Sequence, residues 1–154
     1  MKLMLALAIG AITVLLFIAS CDDDEGPSPT PSPTPTTTAT APPNVCLPNP
    51  DPATPDQLVI DAPEPNDAVT SPVTVSGQIA AFEAAFKLTI YDAAANQIAN
   101  VNGLAEEGQV LSPFSEQVNF SVTTSTPACL WVYTLNAADG SIQDVGQVPI
   151  MLLP

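Results

Sequence analysis

Few side chains in this 154-residue chain are equipped for chemistry, and their types exclude more than they allow. There is no histidine and no arginine, and the two lysines are Lys2 and Lys87. Without histidine, the usual general base near neutral pH is missing. No Ser-x-x-Lys or Gly-x-Ser-x-Gly pattern supplies an activated serine. Metal ligands would have to be carboxylates alone, with Glu106-Glu107 and Asp139/Asp144 as the candidates. Neighbouring carboxylates in the turns of an acidic protein are ordinarily just solvated, so no metal and no cofactor is expected. A glycosidase needs two opposed carboxylates across a cleft, and a domain this small seldom offers one. Lys87 reads as a strand lysine shielding an open face. Trp131 and Tyr133 read as core aromatics on the penultimate strand rather than as a binding patch. These residues point to a protein that binds and does not catalyse.

The three cysteines carry the remaining chemistry. Cys21 closes the sequence Ile18-Ala19-Ser20-Cys21, after an uncharged apolar run from Leu3 to Ile18 preceded by Met1-Lys2. A short positive region followed by an apolar run is the layout of a secretory signal peptide. The final tetrapeptide resembles a bacterial lipobox: an aliphatic residue, two small residues, then cysteine. That resemblance implies diacylglycerol transfer to the Cys21 sulfur and signal-peptidase cleavage between Ser20 and Cys21. The lipid bilayer then becomes a partner through acylated Cys21, and more than one acyl chain gives stable anchoring. An uncleaved anchor is the competing reading, since 3–20 reaches the short end of a spanning helix. Either way, the rest of the chain sits on the extracytoplasmic face of a bacterial membrane. Cys46 and Cys129 remain as an even pair in an oxidising compartment, and a Cys46–Cys129 disulfide is expected. Two free thiols, or intermolecular pairing through Cys46, are the alternatives.

Polarity switches immediately after Cys21, at Asp22-Asp23-Asp24-Glu25. Eleven of the 18 prolines then fall between Pro27 and Pro55, interleaved with serine and threonine. Proline fixes φ and removes amide donors, so neither helix nor sheet is expected there. A disordered linker over 21–55, in polyproline II, would reach on the order of 100 Å. Its serines and threonines are able to carry O-linked sugars. Once Lys2 leaves with the signal peptide, Lys87 stands alone against 16 acidic residues. Nucleic acid is excluded as a partner, because phosphate neutralisation needs lysine and arginine. Adsorption to anionic headgroups is excluded on the same ground.

Positioning falls to the segment 56–154, where short alternating runs are separated by turn residues, the all-β signature. Seven strands are expected. Gln57–Ala62 places Leu58 and Ile60 on one face, and Val73–Ile79 points Val73 and Val75 inward. Ala84–Tyr91 buries Phe86, Leu88 and Ile90 and turns Lys87, Thr89 and Tyr91 outward. Phe82 to Ala85 reads as strand despite its helix-favouring residues. Gln97–Asn102 is short, and Phe114–Val122 buries Val118, Phe120 and Val122. Cys129–Asn136 and Val145–Leu153 close the fold around the Asp139-Gly140 turn, with Val148, Ile150 and Leu152 inward. Alternation of period two over several segments implies two antiparallel sheets packed as a sandwich.

Several stretches carry a resemblance: Ala62-Pro63-Glu64-Pro65-Asn66-Asp67, Thr70-Ser71-Pro72-Val73-Thr74-Val75-Ser76-Gly77, Phe82-Glu83-Ala84-Ala85-Phe86, Pro113-Phe114-Ser115, Asp139-Gly140-Ser141 and Val148-Pro149-Ile150. Together, over about Leu58 to Leu153, they resemble the immunoglobulin-like domain of bacterial spore germination proteins. The resemblance implies a single immunoglobulin-like antiparallel β-sandwich, outside the cytoplasm, attached to a lipoprotein or membrane anchor. The expected function is a non-catalytic binding module for envelope proteins or cell-wall polymer, with a link to germination or sporulation. A passive structural spacer or surface-coat lipoprotein is the alternative.

Overall fold

The computed structural model describes residues 45–154. The expected signal peptide, the cleavage site at Ser20–Cys21, lipidated Cys21 and the linker up to residue 44 lie outside the described residues. The described chain is all-β, with eight strands: β1 Leu58–Ala62, β2 Ala68–Val69, β3 Val73–Ile79, β4 Ala85–Asp92, β5 Gln97–Leu104, β6 Ser112–Val118, β7 Thr126–Leu135 and β8 Ile142–Leu152. They form two sheets, a three-stranded one ordered β1-β3-β6 and a five-stranded one ordered β2-β8-β7-β4-β5. Seven of the strands are those expected from alternation. Two-residue β2, the eighth, pairs parallel with the end of β8 and is too short to show a period. Every other pairing between these strands is antiparallel.

Alternation explains the packing. Val73, Val75 and Ile79 of β3, with Phe114 and Val118 of β6, are buried against Leu88 and Ile90 of β4 and Leu130 and Val132 of β7. The Phe86 and Phe114 rings meet at 4.7 Å in a tilted pair, an arrangement worth about 0.5–1.5 kcal/mol beyond area burial. Two glycines make room for the neighbouring strand of their own sheet. A Cβ on Gly77 would collide with the Val59 carbonyl of β1, and one on Gly103 would enter the Phe86 ring.

Four details depart from the expectation. Phe82–Ala84 forms a 3-10 turn, with Glu83 and Ala84 at positive φ, so β4 begins only at Ala85. The turn is held because Ala84 donates its N–H to the Ala81 carbonyl while Gln109 donates to the same oxygen. β6 stops at Val118; Phe120 and Val122 leave the strand yet stay half-buried against the core. Thr89 faces away from the core as expected but is buried, because Tyr133 and Asn100 close over it.

The fourth departure concerns the N-terminal boundary: the folded part begins before residue 56. Val45 to Ala53 lies as a strap on the outer face of the five-stranded sheet. Leu47 accepts from Gln147 Nε2, and Asn49 donates to the Val145 carbonyl. Val145 donates to the Asp51 carbonyl, and Ala53 donates back to the Val145 carbonyl. Val45, Cys46 and Leu47 pack over Trp131, Tyr133 and Val145, a second apolar cluster separate from the main core. A bond from Cys46 to Cys129, with Cα atoms 5.0 Å apart, fixes the strap at its start.

Candidate functional site

The strand registers give the sandwich two distinct ends. Ala85 opens β4 opposite Leu104 at the close of β5, and Leu135 closes β7 opposite Ile142 at the start of β8. In the other sheet, Ile79 lies between Leu58 and Ser112. All these residues mark one end. The opposite end holds the Asp92–Asn96 turn, Thr126 and Leu152. Cys129 pairs with Tyr91 near that second end, so Cys46 enters the described structure there, and Pro154 leaves it there.

A groove of about 500 Å³ opens at the first end. The 3-10 turn contributes Phe82 and Glu83 to its lining, the end of β7 contributes Leu135, the β7–β8 connection contributes Gly140, and β4 and β5 contribute Lys87 and Asn102. Lys87 Nζ donates to Asn102 Oδ1 at 2.6 Å, a pairing set by the direct opposition of these residues across β4 and β5. The walls are built locally. Gly140, at φ 73°, supplies the left-handed residue of the turn, and Asp139 accepts the Ser141 N–H at 2.9 Å. That bond holds the Asp139 carboxyl below its ordinary value. The 3-10 turn packs against the β5–β6 connection so closely that a Cβ on Gly108 would come within 2.8 Å of the Ala84 nitrogen.

The same end collects all the large exposed apolar side chains of the described residues: Phe82, Leu104, Val110, Leu111, Leu135 and Ile142. Leu104 is 66% exposed and Phe82 55%, so neither contributes to the core. Sequence reasoning missed this surface, because Phe82, Val110 and Leu111 lie outside the strands and Leu104, Leu135 and Ile142 are strand-terminal, where alternation no longer tells which face is covered. The Phe82–Phe86 and Asp139–Ser141 stretches were the available signal, and both line or border the groove.

The carboxylates singled out in the sequence do not assemble. Glu106 and Glu107 are exposed, with their backbone amides bonded to the Pro113 carbonyl and to Ser112 Oγ. Asp139 is exposed in its turn. Asp144 sits in a β-bulge at φ 50° and accepts from Gln57 Nε2 and Thr134 Oγ1. Among the described residues, no three histidine, cysteine or acidic side chains are grouped to hold a metal. Trp131 and Tyr133 are buried, but on the outer face beneath the strap rather than in the main core. Tyr91 meets Trp131 edge-on at 5.4 Å, and burial pushes the Tyr91 phenol up. The Trp131 indole N–H is buried with no hydrogen-bond partner among the described residues.

The sequence model for the immunoglobulin-like domain of bacterial spore germination matches residues 57–141. The chain belongs to this family. In this germination-family domain the match spans β1 through β7 and the turn that shapes the groove, while the strap and all of β8 lie outside it. No curated protein matches the chain. Among the described residues, no helix is long and apolar enough to cross a membrane.

Proposed function

We propose that the chain is a lipid-anchored extracytoplasmic lipoprotein whose sandwich is a binding module, presenting its groove end to an envelope protein or cell-wall polymer without catalysing a reaction. One observation carries this reading: every large exposed apolar side chain of the described residues lies at the end opposite the point where Cys46 enters and Pro154 leaves. An apolar surface confined to one place marks an interaction site more often than a scattered one does. Tethered through the other end, the domain holds that surface away from its own anchor. A disulfide suits an oxidising compartment, and the Ile18-Ala19-Ser20-Cys21 pattern supplies the anchor. Membership of a germination family makes spore-forming or germinating cells the first setting to examine.

The test is a photo-crosslinking residue placed at Phe82, or at Asn119 on the opposite end, in the native lipoprotein in cells. Adducts from position 82 that are missing from position 119 support the module. Adducts from neither, beyond those of a Cys21→Ala control, leave a passive spacer instead. The same control tests the anchor: Cys21→Ala is expected to accumulate as precursor, and a lipid-bearing product cut after Ser20 would refute the lipobox.

A further inference from the structure

We infer that the partner seated on the groove end is a protein segment bearing apolar side chains flanked by lysine or arginine, an inference that rests on the binding-module reading above. The apolar part follows from Phe82 and Leu135, which both line the groove, with Ile142 opposite Leu135 and Leu104 opposite Ala85 across their strands. A volume of about 500 Å³ falls within the range of ordinary ligand sites and is large enough to take a few side chains, but not a folded domain. The charged part follows from the rim. Glu83, Glu106, Glu107 and Asp139 are all exposed at this end, carried by the 3-10 turn and by the connections after β5 and β7. The only lysine of the folded part, Lys87, lies in the groove and is hydrogen-bonded to Asn102. An apolar centre with a charged rim is the usual anatomy of a protein interface, and a rim of one sign selects a partner of the other. Polyanionic wall polymers and anionic bilayers are repelled by the same rim. A neutral glycan leaves its four carboxylates without counter-charges and offers little to six aliphatic and aromatic side chains.

Direct binding decides the matter. The lipidated full chain, held in nanodiscs of neutral lipid, is titrated with fluorescent peptides of about a dozen residues that share one apolar centre and differ in lysine, glutamate or serine flanks. Soluble peptidoglycan fragments form a fourth arm. The lysine-flanked peptide is expected to bind saturably and at least about tenfold tighter than the glutamate-flanked one, with a difference that shrinks as salt screens the rim. The pair Phe82→Ser and Leu135→Ser, both at exposed positions, is expected to weaken it by about tenfold or more. Glu83→Gln with Asp139→Asn is expected to weaken it about threefold or more, while Asp92→Asn at the far end leaves it unchanged. Equal binding of lysine- and glutamate-flanked peptides overturns the inference. So does lysine-peptide binding that survives the Phe82/Leu135 pair, since that is adsorption by charge alone. Peptidoglycan binding abolished by the same pair overturns the partner class and keeps the binding module. Failure of every arm, together with the absence of cellular adducts from position 82, removes both.

Discussion

Replacing Cys46 with alanine opens the bond that pins the strap, and the structure sets the size of the effect. Cys46 and Cys129 are separated by 83 residues. In the chain-entropy account, closing a loop of that length removes about 15 cal/mol/K from the unfolded ensemble, or about 4.5 kcal/mol at 25 °C. Unfolding about 110 residues carries an entropy near 230 cal/mol/K, so the melting temperature should fall by about 20 °C. Cys46 is only half-buried, and the Cys129 thiol left behind is small and apolar, so cavity and polarity contribute little. Thermal unfolding by circular dichroism, with and without a phosphine reductant, checks the figure. Reductant should lower the wild-type transition to that of Cys46→Ala and leave the variant unmoved. A wild type shown by peptide mapping to be fully reduced, yet melting within a few degrees of the oxidised form, would refute the reasoning.

Gly77→Ala should be among the most damaging single methyl additions, because the new Cβ meets the Val59 backbone carbonyl and strand backbone cannot step aside; about 3 kcal/mol is expected in urea unfolding. Thr89→Val should cost more than Tyr133→Phe, about 2 against about 1 kcal/mol. The Thr89 hydroxyl both pairs with Tyr133 and accepts from Asn100, whereas Tyr133→Phe removes only one of these bonds. Acid should weaken the Asp92–Asn96 turn. Hydrogen bonds from the Asn96 side chain and backbone hold the Asp92 carboxyl below its ordinary value. A carboxyl depressed in the folded state contributes stability above its unfolded pKa, and that contribution is lost as pH falls through the folded value. Protection of the Ala94 and Asn96 amides, taken relative to the intrinsic exchange rate at each pH, should therefore fall below about pH 4 in the wild type and change less in Asp92→Asn.

Strand content was legible wherever one face is wet. Val73–Ile79 alternates valine with threonine and serine, and its observed bounds match the pattern to the residue. β7 is a harder case, because Leu130 and Val132 are buried on one face while Trp131 and Tyr133 are buried on the other. A near-continuous apolar run of that kind announces cover on both sides, yet the sequence does not say what supplies it. The cover turned out to be Val45 to Leu47, two aliphatic residues around a cysteine, hidden in a proline-rich stretch that reads as linker. The one sequence signal that links the two is the Cys46–Cys129 pair, a long-range fact. The groove was illegible for a different reason. Its walls are a 3-10 turn with two positive-φ residues and a Gly140 turn, and neither has a period.

β8 is the longest strand of the domain, and its outer edge is occupied piecemeal by the chain's own short segments. The strap takes the backbone at Val145, and the stretch from Asn66 to Val69 takes Pro149, Met151 and Leu153. An uncovered strand of that length is a template on which another molecule's strand can nucleate. A fragment trimmed to begin at residue 57, where the family match begins, would keep every strand and still lose the strap. It would then expose the backbone at Val145 together with Trp131 and Tyr133, and its expected fate is strand exchange and precipitation rather than a well-behaved monomer. The smallest segment suited to recombinant production is therefore set by the disulfide partner at Cys46, upstream of anything the family pattern marks.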